Sequence, residues 1–445
     1  MIKVFLAIAI PAVLTVGVLS LWSYGGVYVP SVTTPRFDDI SVAQAPAAVV
    51  VEAPADRRGV LVLDTLHRNG FQTGEVNVLL AKVTARGYSI DYLGPKDPRE
   101  FFRASPEDRL ELLRDKLRGA NALVVILPRE AYSAAEAKAV EEFVDKGGRL
   151  LLVGDPSRSN MINSLAEGFG LLVERGYLYN LKEHETNYQN IFVRSFRPHL
   201  LTRNLKELAF YAASSVRPTE AGLAVTDDYT YSSYTQGTGF APMALSSNSQ
   251  VLALGDFTFM VEPFSTTADN NQLISNIAEF LTSATRKFSL ADFPHFFPGE
   301  VDVQISRQSL LERGTAFRQL LQEKKRPATL VNRENVLRDT VFIGLLSDAP
   351  QVGQYLREEG IEVGQRISTP FTPDLDRNRT GLLYLYRGKE RNVLILLAEN
   401  ESEMAALFQI VRNGRFRTGL VNQNVGLYKL FPRGEEAPAE RSGQE

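Results

Sequence analysis

The feature that most restricts the fold is a series of short apolar segments, each followed by a helix carrying its own start and stop signals. Gly59–Asp64 (GVLVLD), Ala122–Leu127 (ALVVIL) and Arg149–Val153 (RLLLV) are continuous apolar stretches of strand length, while Tyr88–Tyr92 (YSIDY) alternates apolar and polar residues. A strand without a polar face has to be covered on both sides, which is how parallel strands read. The intervening segments are helical. From Thr73, the residues Val76, Leu79, Leu80 and Val83 form one face, closed by Gly87. Ser105-Pro106-Glu107-Asp108 sets an N-cap, a first-turn proline and an acid in order, ahead of Leu110, Leu113 and Leu117 and a stop at Gly119. Ser133-Ala134-Ala135-Glu136 is a capping box ahead of Ala137, Val140, Phe143 and Val144, with Gly147-Gly148 as the stop. This alternation predicts an α/β domain over 57–285 built on a doubly wound, mostly parallel sheet. Further strands are expected near 191–196, 208–216 and 250–254, with a closing helix over Asn270–Thr282.

Composition removes whole function classes. The 445 residues include no cysteine, which excludes disulfides, thiolate zinc sites, iron–sulfur clusters and a cysteine nucleophile. Forty-nine Lys+Arg against 52 Asp+Glu gives a net charge of −3, without the basic block that a nucleic-acid binder needs. No nucleic-acid partner is therefore expected, and no cofactor or metal either, because the histidines lack metal-ligand spacing.

Val4–Trp22 carries no charge and matches a bilayer core in helical length. Lys3 precedes it, and Arg36, Asp38 and Asp39 are the first charges after it, which places the short end in the cytoplasm. Residues 1–25 thus read as an uncleaved transmembrane signal-anchor in the cell membrane, single-pass, with the bulk of the chain extracytoplasmic. A cleaved signal peptide, the rival reading, lacks a small-x-small site after Trp22. Residues 26–56, with four prolines and no periodicity, read as a tether to which Val49–Val51 adds an edge strand at most. Residues 286–299 (RKFSLADFPHFFPG) are too apolar to lie free, so this aromatic linker is expected to pack between domains. Residues 300–433 read as a smaller α+β domain rich in arginine, and 434–445 as a disordered polar tail.

The runs LVLDTLHRNGF, SAAEAKAVEEFVDKGGRLLLVGDPS, INSLAEGFGL and ALGDFTFM…DNNQLISNIAEFL resemble the class I glutamine-amidotransferase-like domain of an uncharacterised bacterial family. That family includes auxiliary proteins of gliding-motility-type ABC transport systems. The resemblance covers about half the chain and implies a flavodoxin-like architecture. Active members of the wider superfamily carry a cysteine nucleophile at a strand-to-helix turn; here Gly154-Asp155-Pro156 follows the matching strand. The resemblance therefore implies a non-enzymatic binding or scaffold module, an accessory of an envelope or transport complex with protein partners.

In a wound sheet, ligands gather outside the carboxyl ends of the strands. Asp64, His67 and Asn69 follow the first strand, Gly154 and Asp155 the fourth, and Gly255 and Asp256 a later one. Converging, they would form a carboxylate pocket with one imidazole, the basis of an alternative reading as an envelope glycan- or peptide-processing hydrolase. The competing structural reading makes Asp155 and Asp256 helix caps and His67 a satisfied loop residue. Two further loops are rich in aromatics: Tyr177, Tyr179 and Tyr188 in one, Tyr229, Tyr231, Tyr234 and Phe240 in the other. Tyrosines among small polar residues suit partner or glycan contact, hence a third reading as a sugar-binding receptor; alternatively they line one face of a hairpin.

Overall fold

The computed structural model describes residues 2–24, 59–98, 100, 104–389 and 391–431. The expected tether, the Val49–Val51 strand and the tail lie outside them. The chain divides into two units, Met1–Glu52 and Ala53–Glu445. In the first, α1 (Ile2–Tyr24) is a single helix whose Leu6–Ser23 stretch is long and apolar enough to cross a membrane. Pro11 sits inside it, and the Thr15 hydroxyl donates to the Pro11 carbonyl at 2.8 Å.

The second unit has two sheet-based lobes. In the first lobe, β1 (Gly59–Asp64), β2 (Tyr88–Leu93), β3 (Ala122–Ile126) and β4 (Arg149–Val153) pair in parallel in the order β2-β1-β3-β4, and Val251–Leu254 adds a fifth parallel strand beside β4. Met243–Leu245, Gly222–Val225 and Ser195–Phe196 extend the sheet antiparallel, giving eight strands. Alternate residues of each parallel strand feed two cores. Leu61, Leu63, Val124 and Leu151 pack with α2 (Asn77–Ala85) and the helix Asn270–Thr282. Val62, Leu123, Val125 and Leu150 pack with α3 (Pro106–Gly119) and α4 (Ala134–Asp145). The sheet is thus mixed, mainly parallel and covered on both faces.

The caps read from sequence form as expected. Ser105 accepts from the Asp108 N–H, and Ser133 and Glu136 make a reciprocal box. Gly87 and Gly147 take left-handed φ of +84° and +87°, conformations that favour glycine. The antiparallel half is more broken than expected. The 191–196 segment splits: Asn190–Val193 pairs with Leu208–Tyr211 in a separate two-stranded sheet, and Ser195–Phe196 alone joins the main one. The 208–216 segment splits too, because the chain turns at Ala212 (φ +52°) and Val216–Arg217 then pairs with Leu172–Val173.

The second lobe, read from sequence as α+β, is built on a seven-stranded mixed sheet. Ala328–Val331, Val301–Ile305, Asp339–Leu345 and Asn392–Ala398 are adjacent and parallel. Thr380–Arg387, Val425–Lys429 and Leu420–Val421 continue it antiparallel. Val301–Ile305 (VDVQI) has a charged second residue. Asp302 is nonetheless buried, with Arg338 Nη1 at 3.5 Å, and the polar letter concealed a core strand from sequence. The order of the four parallel strands repeats that of β2-β1-β3-β4.

The aromatic linker contacts both lobes, with its phenylalanines in the second lobe's core. Phe293, Phe296 and Phe297 are buried with Phe317, Phe408 and Phe416. Its polar residues reach back to the first lobe: Arg286 donates to the carbonyls of Phe143 (2.9 Å) and Leu117 (3.3 Å), and Lys146 pairs with Asp292 at 2.9 Å. Cations at the carboxyl ends of α3 and α4 are favoured by the helix dipole. Truncating Phe297, fully buried with its ring 4.6 Å from that of Phe296, removes apolar contact that no neighbour replaces. Phe297→Ala is expected to destabilise the folded unit by about 3–5 kcal/mol in chemical denaturation, and the partly exposed Phe288→Ala by far less.

Candidate functional site

The order β2-β1-β3 creates a switch point: the chain leaves β1 toward one side and returns to β3 on the other, so the loops after these strands diverge and open a crevice. The loop after β1 brings Asp64, His67 and Asn69 there, and the loop after β3 brings Tyr132, with Glu136 from the first turn of α4. All five are buried, and His67, Asp64 and Glu136 have no exposed surface. His67 Nδ1 lies 3.0 Å from Asp64 Oδ1 and Nε2 lies 3.4 Å from Glu136 Oε1. The Tyr132 ring stacks on the imidazole at 3.7 Å, and its hydroxyl donates to Asp64 Oδ2 at 2.8 Å. Asn69 Nδ2 donates to Asp64 Oδ2 (3.2 Å) and to the Ile126 carbonyl (2.8 Å). The His67 carbonyl accepts from the N–H groups of Arg129 and Glu130, lacing the two loops together.

Burial opposes charge on His67, but Asp64 and Glu136 outweigh it and raise its pKa to about 9. Burial likewise opposes ionisation of Glu136, yet His67 and the Ser133 cap hold it at about 2. Asp64 is also held below its ordinary value, burial being outweighed by His67, Tyr132 and the Leu66 N–H. At neutral pH the cluster is an imidazolium between two carboxylates. In that form the ring has no lone pair with which to accept a proton.

Asp155 and Asp256 do not join this cluster; among the described residues the two groups share no partner. Asp155 Oδ1 accepts from the N–H (2.8 Å) and hydroxyl (2.5 Å) of Ser157, and Oδ2 from the Phe257 N–H at 3.2 Å. Asp256 accepts from the N–H groups of Tyr211 (2.7 Å) and Thr258 (2.6 Å). Burial, and then the neighbouring Asp155, raise the Asp256 pKa well above the carboxylate range. Gly255 is required by backbone proximity: a Cβ there would sit 2.0 Å from the Ser214 carbonyl oxygen. Gly154 is similarly hemmed by Val173 and Ile162. The pocket that convergence would form is therefore replaced by two separate polar clusters, with the two glycines confined by neighbouring atoms. Among the described residues, no set of three or more His, Asp or Glu side chains is arranged to hold a metal ion.

Beside Asp155 a cleft of about 530 Å³ does open, lined by Arg158, Asn160, Glu167, Glu174 and Ser214 among others. Glu174 Oε1 accepts from Arg217 (2.9 Å) and Thr235 (3.1 Å), whereas Oε2 is buried without a hydrogen-bond partner. Sequence offered no signal for it, because Glu174 lies in an irregular segment.

The tyrosines do converge. Leu178–Asn180 pairs antiparallel with Thr230–Ser232, setting Tyr179 opposite Tyr231. Tyr179 has ring centroids of Tyr177, Tyr188 and Tyr231 at 6.2, 6.1 and 5.8 Å, and Lys182 sits 3.8 Å over the Tyr229 ring. Tyr188, Tyr229, Tyr231 and Tyr234 are exposed. Buried Asn180 fixes both strands, donating to Asp227 and Thr230 and accepting from the N–H groups of Lys182 and Glu183. Phe240 does not belong to this surface: it is 2% exposed in the first lobe's core.

No protein-family model and no curated protein matches the chain. Among solved structures, one titled "mmIFT52 N-terminal domain" matches 51% of this chain and all of its own length, at 14% identity and a TM-score of 0.41.

The imidazolium sets a pH dependence. His67 is raised from 6.5 to about 9, so its contribution is complete below pH 6.5 and is lost as pH rises through about 9. Glu136, lowered from 4.5 to about 2, contributes fully above 4.5 and is lost as pH falls through about 2. Thermal unfolding midpoints should decline on the alkaline side, and His67→Gln should be less stable at pH 6 and lack that decline. Gly255→Ala should cost about 1–3 kcal/mol in denaturation, by forcing the Ser214 carbonyl away.

Proposed function

We propose that this chain is a membrane-anchored, extracytoplasmic, non-catalytic binding or scaffold protein, a subunit or accessory of an envelope or transport complex. The observation that carries the reading is the closed switch point. Where a wound α/β sheet offers its ligand crevice, the space is filled by Asp64, His67, Asn69, Tyr132 and Glu136, with the imidazole Nδ1 hydrogen-bonded to Asp64 and Nε2 facing Glu136 Oε1 at 3.4 Å. The order β2-β1-β3-β4 followed by a fifth parallel strand is that of flavodoxin-like sheets, which supports treating the first lobe as a doubly wound, glutamine-amidotransferase-like domain without its nucleophile. The apolar α1, preceded by Lys3, supports a single-pass anchor with its short end inside.

Recognition then falls to the tyrosine surface, where large amphipathic rings offer contact area at low entropy cost. Tyr179→Ala with Tyr231→Ala is expected to abolish a stable complex recovered from native membranes in gentle detergent, with the unfolding midpoint within a few degrees of the parent. A complex that survives this pair, or a measured turnover lost in His67→Gln at unchanged stability, overturns the proposal.

A second reading, a receptor for a polyhydroxylated ligand such as a sugar, is favoured by one specific observation. The unpartnered Glu174 Oε2 lines the cleft, and the cleft reaches Gly176, next to Tyr177. Loss of glycan binding in Glu174→Gln, with Tyr179→Ala/Tyr231→Ala also impaired, would establish it.

A further inference from the structure

We infer that the cleft between the two lobes is a binding site for a phosphate-type anion. A space of about 170 Å³ opens between the carboxyl ends of α3 and α4 and the turn Gly414–Thr418, and it includes Arg114, Arg118, Lys146, Arg286, Arg415 and Arg417 in its lining. Against these six cations the lining supplies two carboxylates, Glu142 and Asp292. Arg417 pairs with Glu142 at 2.9 Å and Lys146 with Asp292 at 2.9 Å, while Arg118 has Asp115 of its own helix at 3.6 Å.

That leaves three guanidinium groups without a carboxylate in contact. Arg286 donates to the Phe143 and Leu117 carbonyls, but its buried Nε has no hydrogen-bond partner. Arg114 and Arg415 have no ion pair among the described residues, and both are exposed. The two lobes approach closely here, since Arg118 Nη1 lies 3.8 Å from where a Cβ on Gly414, the neighbour of Arg415, would stand, and all three groups line the same cleft.

Helix dipoles account for part of this charge. The carboxyl ends of α3 and α4 present carbonyls, and Arg286 and Lys146 sit where those dipoles favour cations. They do not account for Arg114, one turn before the end of α3, or for Arg415, on a different lobe. Like charges gathered from two lobes repel one another unless an anion lies between them. A phosphate or phosphomonoester presents several acceptor oxygens, which planar guanidinium forks match in pairs. Because the cleft takes residues from both lobes, such an anion would bridge them.

The test uses the full chain in detergent, titrated calorimetrically at low ionic strength with inorganic phosphate and, separately, glycerol 3-phosphate. Saturable one-site binding is expected. The exposed pair Arg114→Glu with Arg415→Glu should weaken it about tenfold or more, with an unchanged unfolding midpoint in the absence of ligand. Arg366→Glu, exposed on a distant hairpin, should leave it unchanged. Tighter binding of inorganic phosphate would assign the site to the free ion, and tighter binding of glycerol 3-phosphate to a phosphoester. Absence of saturable binding for both probes, or binding unaffected by the double variant, overturns the inference.

Discussion

The first lobe depends on a buried charge. An imidazolium held between two carboxylates is costly to desolvate and is tolerated only when every partner is in place. Here the partners come from three elements: Asp64 from the end of β1, Tyr132 from the loop after β3 and Glu136 from α4. Removing either carboxylate leaves the imidazolium with one counter-charge in an enclosed space, and removing Tyr132 takes a hydrogen bond from Asp64, so the cluster ties β1, the loop after β3 and α4 together. It also occupies the position where this strand order otherwise exposes a crevice.

The second lobe closes its own switch point in a similar way. Its parallel strands cross over between Val301–Ile305 and Asp339–Leu345, and there Ser306 donates to Asp348 Oδ2 at 2.6 Å and Arg307 Nε to the same oxygen at 3.0 Å. The Leu345 N–H reaches that oxygen as well, at 3.0 Å. In both lobes a carboxylate placed just past a strand gathers the donors of neighbouring loops. The difference lies in the depth of the charge, since Arg307 keeps part of its surface in solvent whereas His67 has none.

What was legible in the sequence was local. Caps at Ser105 and Ser133, stops at Gly87 and Gly147, and the apolar runs of β1, β3 and β4 are decided within a few residues, and they formed where expected. The site was legible as residue types but not as a constellation. Asp64, His67 and Asn69 were visible at a strand end, yet Glu136 read only as a capping acid; one of its oxygens does cap α4, and the other meets His67. Phe240 read as part of an aromatic loop because tyrosines surround it, although register turns its ring into the core. Val301–Ile305 was hidden for the opposite reason, its second residue Asp302 being met by an arginine 36 residues away. Each miss is a long-range pairing that period and propensity do not encode.

The tyrosine surface follows from the same division of labour. The parallel half of the first lobe is sealed on both faces and at its switch point, which leaves little surface able to adapt to a partner. The antiparallel half is built from two- to four-residue strands whose loops are joined across 47 to 50 residues by Asn180 and across 56 by the bond from the Tyr177 N–H to the Ser233 hydroxyl. One buried amide satisfied on all sides makes these loops rigid without burying their side chains, so Tyr179 and Tyr231 hold a fixed spacing while neighbouring rings stay in water. A surface ordered before contact loses little entropy on binding, which is what a recognition patch requires.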